Sequence, residues 1–287
     1  MHPVSARTIS PASRRGLHAA VPGLLLVMAL FLIPAAATAE DSSPPDFEGV
    51  WITVLVAFDD PRWRIADLVC ARTGCSLEGF EYLQSLLDDP ANADRGTRQL
   101  VSDMEDFQRR MNQTLLTPLA RESQEAFDPS KEASLDCTPE GDSLRHQILA
   151  PLPLQIEQKD DTVTLRYEYW NAERTVHLDL DAHPADLEPT RLGHSIGHYE
   201  GRTLVVETRG LIPSETGIPV STPLMLSPDA HVEERYTLSE DGETLDVVLN
   251  IIDPANFTRP FQNYRRMLLA PGWELEPFVC ESITGEF

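Results

Sequence analysis

Beyond its first forty residues this chain has no apolar run long enough for a membrane-spanning helix, which needs about 20 such residues. It has no phosphate-binding loop and no glycine fingerprint for a dinucleotide, which excludes those two nucleotide-binding classes. It has no internal repeat and no low-complexity segment, so it is not a solenoid or a linker-rich array. Basic charge is scarce: 23 lysines and arginines face 46 aspartates and glutamates, a formal net charge of −23. A polyanion of this kind repels phosphate backbones and anionic membrane surfaces, so nucleic acid is excluded as a partner.

The first stretch reads as a leader. Arg7, Arg14 and Arg15 precede an apolar core at Val21–Ile33, and the small residues Ala37-Thr38-Ala39 precede Glu40. This is the pattern of a secretory signal peptide over 1–39, leaving 40–287 as a single exported domain, periplasmic or secreted. The Arg14-Arg15 pair hints at twin-arginine export, but Leu17 and His18 fit that route poorly and a general secretory signal is favoured.

Four cysteines follow the leader: Cys70, Cys75, Cys137 and Cys280. An even number in an exported chain points to disulfides. Three pairings are possible, and Cys70–Cys75 with Cys137–Cys280 is the favoured one. A four-thiolate zinc site would want C-x-x-C pairs, which are absent.

The mature chain changes character twice. "FEGVWITVLVAF", 47–58, is β-branched and apolar and reads as a strand. From about 60 to 130 the period becomes helical: Leu100, Met104, Phe107 and Met111 recur at three and four, and Thr117-Pro118 starts a second helix. A short helix is expected over 78–87. After Leu152 the chain is nearly all strand, with candidates at 153–158, 162–170, 173–181, 191–199, 202–209, 231–238, 243–252, 262–270 and 273–280. So many short connections predict a mainly β fold: an antiparallel up-and-down, lipocalin-like barrel of about 8–10 strands, with a helical insertion outside the sheet.

Three hairpins carry the candidate site residues. "GHSIGHYEGRTLVVET", 193–208, spaces His194 and His198 four apart. On an extended strand that is about 13 Å, too far for one metal ion, and no metal or cofactor is expected. A turn at Glu200-Gly201 would set His194 opposite Glu207, either as an exposed polar pair or as a carboxylate-oriented base. A turn at Asn171-Ala172 would set Glu168 opposite Thr175 and Arg166 opposite His177, and leave Arg174 on the apolar face with Tyr167 and Tyr169. The turn at Asp241-Gly242 puts Val232, Tyr236, Leu238, Leu245, Val247, Leu249 and Ile251 on one face, with Glu234 among them. A carboxylate in such company should be paired or protonated with a raised pKa. Arg174 is its natural partner.

The stretch 193–208 resembles the G-H-S-x-G-x-W-E-G-D-T-L-V-V-D-T signature of a large family of exported bacterial proteins. "DFEGVW", "CTPEG", "PLPLQIEQ", "YEYWNAERTVHLDLDAHP", "EERY", "DPANFTRPF" and "ELEPFVC" follow in the family's order, over about 45–58 and 137–281. The resemblance implies an exported barrel, and it marks Glu168, Arg174, Asp179, His183, His194, Glu200, Glu234 and Cys280. The chain departs from the pattern at Tyr199, Arg202 and Glu207 and lacks a D-G-R tripeptide before His183.

Three functions fit these features. The first is a barrel holding a small hydrophobic or amphipathic molecule, with Arg174, Glu234, Glu168 and Glu200 as polar contacts and Tyr167, Tyr169 and Tyr236 as wall. The second is an acid–base enzyme, a hydrolase, hydratase or isomerase, using Glu234 with His183 or His194. Its Gly193-x-Ser195-x-Gly197 matches the nucleophile-elbow string, but a strand rather than a helix follows. The third is a protein partner docking on the helical insertion.

Overall fold

The computed structural model describes residues 44–57, 59–128, 137, 152–213 and 226–281; the leader expected over 1–39 lies outside them. Nine strands close into a barrel in chain order. They are β1 (Gly49–Ile52), β2 (Leu154–Lys159), β3 (Thr162–Tyr167), β4 (Ala172–His177), β5 (His194–Glu200), β6 (Thr203–Arg209), β7 (His231–Leu238), β8 (Thr244–Ile252) and β9 (Phe261–Leu269). Four helices lie between β1 and β2: α1 (Ile65–Thr73), α2 (Leu77–Asp88), α3 (Thr97–Thr114) and α4 (Pro118–Glu125). No helix among the described residues is long and apolar enough to cross a membrane.

The expectation of an all-antiparallel, up-and-down barrel is corrected at one step. Every neighbouring pair is antiparallel except β4 and β5, which run parallel through Val176↔Ser195 and His177↔Ile196. Parity demands this. Reversing direction at every step round nine strands would leave β9 parallel to β1, yet those two pair antiparallel at Trp51↔Leu269. An odd ring therefore needs one parallel step, and a parallel step needs a long crossover rather than a tight turn. Here the crossover is 178–193, and it builds the site described below.

The strand expected at 273–280 does not form; this stretch is irregular. Pro277 offers no N–H to a ladder, and Asn171 holds the segment instead, its side chain bonding both the N–H and the carbonyl of Phe278 at 2.9 Å. The first strand also ends early, at Ile52, where the chain turns with Val56 N–H on the Thr53 carbonyl.

The inner faces follow the period of two. β7 and β8 alternate buried and less buried residues along their length. Trp51, Leu154, Leu165, Val176, Leu204, Val206, Tyr236 and Val247 meet inside, each no more than 1 % exposed. The helices pack outside, as their pattern required: Ala66, Val69, Phe80, Leu83 and Met104 surround Tyr264 of β9. Ser76 caps α2 and Thr117 caps α4, each hydroxyl accepting an N–H three residues on. The helix α1, which the periodicity did not isolate, carries one half of the Cys70–Cys75 disulfide, and the second disulfide joins Cys137 to Cys280. Two stretches, Asn112-Gln113-Thr114 and Asn256-Phe257-Thr258, match the N-x-S/T glycosylation triplet, but both asparagines are buried at 5 % exposure in the folded chain.

Candidate functional site

Inside the barrel, Asp241-Gly242 sets the register expected from sequence, with Leu238↔Leu245 and Glu234↔Leu249. Glu234 is 0 % exposed and Arg174 is 2 % exposed. Arg174 Nη1 donates to Glu234 Oε2 at 2.6 Å and to Thr208 Oγ1 at 2.9 Å. Arg174 Nη2 donates to the Tyr167 hydroxyl at 2.9 Å, and the Tyr236 hydroxyl donates to Glu234 Oε1 at 2.7 Å. Ser195 Oγ joins through Thr208 at 2.8 Å. The Glu234 charge and the two tyrosine oxygens hold the guanidinium well above its ordinary pKa against the opposing effect of burial. Burial, reinforced by the Glu234 charge, pushes both tyrosine hydroxyls up. Of the polar groups the sequence assigned to a ligand, Arg174, Glu234, Tyr167 and Tyr236 are thus joined to one another and closed to solvent, with Arg174 Nε alone of the guanidinium nitrogens left unpartnered among the described residues. Ser195 is equally committed, at 1 % exposure.

The other two expected registers are corrected. β5 and β6 turn on Gly201-Arg202, with the left-handed glycine first (φ 58°), so Glu200 pairs Thr203 and His194 faces Arg209, not Glu207. The β3–β4 loop is longer than a two-residue turn, with Trp170 and Asn171 both left-handed. Arg166 therefore pairs Glu173 rather than His177, and Glu168 lies in the loop rather than opposite Thr175. Both shifts are even, so every side chain that remains in a strand keeps its face while changing its partner. Glu168 accepts from the Glu276 N–H at 3.0 Å, and Tyr169 packs edge-on to Phe278 at 5.1 Å; neither lines the interior. Glu200 lies on the outer face, bonded to Arg235 at 2.7 Å and His198 at 3.1 Å, and these partners hold its carboxyl below the usual range.

The structure separates Glu234 from the histidines by the barrel wall. His194 faces outward on β5, and the crossover lays His183 on it, Nδ1 to Nδ1 at 2.9 Å. His177 stacks on the other side of His194, ring centres 5.1 Å apart. One imidazole must donate and the other accept, so the pair shares one proton when neutral. Burial is the main cause that lowers the pKa of each; neighbouring His194, Arg209 and His231 add to it for His183 while Glu207 opposes it, and His177 adds to it for His194. Sequence reasoning singled out both residues but could not bring them together, because the contact depends on the crossover's path. Among the described residues no group of three or more His, Cys, Asp or Glu could hold a metal ion.

Beside the pair the crossover overhangs β5–β8 and leaves a groove of about 390 Å³. Leu178, Leu180, Ile196 and Val205 give it an apolar floor, and Asp181, Glu207 and Glu233 give it carboxylates. Glu207 and Glu233 stand directly opposite in register, an arrangement that is unfavourable for like charges. Arg209 bonds Glu207, whereas Glu233 and Asp181 have no ion pair among the described residues. The sequence signal for this site was faint: outward apolar residues at 196 and 205 among charges.

No known family model matches the chain, and no curated protein sequence matches it.

Proposed function

We propose that this protein is an exported β-barrel that binds a small amphipathic molecule carrying a cationic group, in the groove under the β4–β5 crossover. The observation that carries it is the apolar floor rimmed by Asp181 and Glu233, carboxylates with no ion pair among the described residues, in a groove of about 390 Å³ whose one arginine, Arg235, is held by Glu200; the size suits a small ligand. The two disulfides fit an oxidising compartment outside the cytoplasm. Membership of the exported family with the G-H-S-x-G signature is part of the same proposal, supported by the order of shared segments.

Calorimetric titration of residues 40–287 with n-octylamine and with octanoate tests it. The amine is expected to saturate and the acid not, and Glu233→Gln is expected to weaken the amine roughly threefold to fivefold, as one partly exposed charge pair should. Equal binding of both ligands, or no effect of Glu233→Gln, overturns the reading.

A second reading, acid–base catalysis on the bound molecule, is favoured by the His183–His194 contact, each histidine two residues along the chain from a lining residue, Asp181 and Ile196. Turnover of a component of an envelope metabolite extract that vanishes in His194→Gln supports it. Identical product profiles for the two proteins end it.

A further inference from the structure

A second concavity, of about 290 Å³, lies between α2, α3 and the start of β9, next to the crossover groove along the β8–β9 pair. Tyr82 and Phe107 form one wall, their rings 5.9 Å apart, and Met111 and Leu115 continue it. Tyr82 is 49 % exposed and Met111 38 %, so the wall is open at its rim. Most polar groups at the base are already bonded. Gln262 accepts from the Leu77 N–H at 2.9 Å and donates to Asn250 at 3.0 Å. Asn112 donates to the Thr73 carbonyl at 3.0 Å, and Ser76 accepts from Gly79.

Gln108 is different. It is only 4 % exposed and lines this concavity; its amide makes no hydrogen bond with any described residue, and neither amide atom is sealed from solvent. Gly79 packs against it: a Cβ there would stand 2.7 Å from Gln108 Nε2. An amide so nearly enclosed meets water only where the concavity opens on it, and a molecule seated there must replace those hydrogen bonds. A helix-packing position needing only bulk would suit leucine better. The amide's N–H and oxygen, bonded to no described residue, lie side by side in one plane, the arrangement that pairs with another amide.

We propose that this concavity is a binding site for a small aromatic molecule bearing an amide group, with the ring between Tyr82, Phe107 and Met111 and the amide paired with Gln108. The site meets the crossover groove at the Gln262–Asn250 hydrogen bond, but neither proposal rests on the other. Its volume admits a molecule of one or two rings.

The test uses 2-phenylacetamide as probe on oxidised residues 40–287, followed through the methionine methyl resonances. The Met111 methyl is expected to shift and saturate. Gln108→Leu, which keeps bulk and removes both hydrogen-bonding groups, is expected to weaken the probe about tenfold while the thermal transition is retained. Should Gln108→Leu fail to fold, Met111→Glu at the exposed rim is expected to give the same loss. Overturning results are a Met111 methyl that does not respond, a Gln108→Leu (or Met111→Glu) protein that binds within twofold of wild type, or shifts that map to the crossover groove. A protein captured on this face without any Met111 response to the probe overturns it in favour of a docking surface.

Discussion

Arg174 on β4 and Glu234 on β7 meet inside the barrel at 2.6 Å, each no more than 2 % exposed, with two tyrosines and a threonine completing the contacts. Removing one partner of such a pair strands the other charge away from water. Glu234→Gln is therefore expected to destabilise the fold by about 3–5 kcal/mol, whereas Arg174→Met with Glu234→Leu should cost less than the two single changes together. Denaturant unfolding of Glu234→Gln, of the single changes Arg174→Met and Glu234→Leu, and of the double change measures this. Full additivity would show that the pair is not coupled.

The two disulfides should contribute unequally. Cys70–Cys75 closes a loop of sequence separation 5 and Cys137–Cys280 one of 143. Loop-closure entropy then gives about 2 kcal/mol for the first and about 5 kcal/mol for the second as upper values. Paired Cys→Ser variants, compared by thermal unfolding, should rank in that order, and the reverse order would refute the entropic account.

Gly197 lies where β4, β5 and β6 come together. A Cβ there would stand 2.7 Å from both the Val176 Cγ1 and the Val205 carbonyl oxygen, and the carbonyl belongs to the ladder and cannot move aside. Gly197→Ala is expected to cost about 1–3 kcal/mol in stability. A variant as stable as wild type would mean that β5 and β6 can separate locally.

His183 and His194 both have pKa values lowered in the folded chain from the ordinary 6.5, burial being the chief cause. The unfolded chain therefore binds their protons more readily, and the sign follows. Their contribution is fully present above pH 6.5, declines as pH falls below it, and is lost once pH passes the lowered folded values. Thermal midpoints from pH 7.5 to 5 should drop more steeply for wild type than for His183→Asn. Parallel curves would show that the imidazole contact does not matter to stability.

Much of the barrel was legible locally. The third hairpin came out in its true register because Asp241-Gly242 leaves one short turn to choose, and that register placed Glu234 among Val232, Tyr236 and Leu249. The pairing of Glu234 with Arg174 followed from cost: two charges on apolar faces of one closed sheet have few other partners. The first two hairpins were displaced, by two residues at Gly201-Arg202 and by four at Trp170-Asn171. A single glycine does not say which turn position it fills, and nothing in Trp170 announces a left-handed backbone. Gln108 was hidden differently, since a glutamine on an amphipathic helix reads as surface until α2 packs over it.

By itself the sequence determined which side chains face inward, because a strand's period of two is a local property of the backbone. It likewise determined the insertion of helices and the even complement of cysteines. The tertiary structure alone decided that nine strands close, that closure requires a parallel step between β4 and β5, and that the crossover serving that step carries His183 to His194 and roofs the groove. The physical reason is that closure is a property of the whole ring: no segment of the chain records how many strands the others will supply.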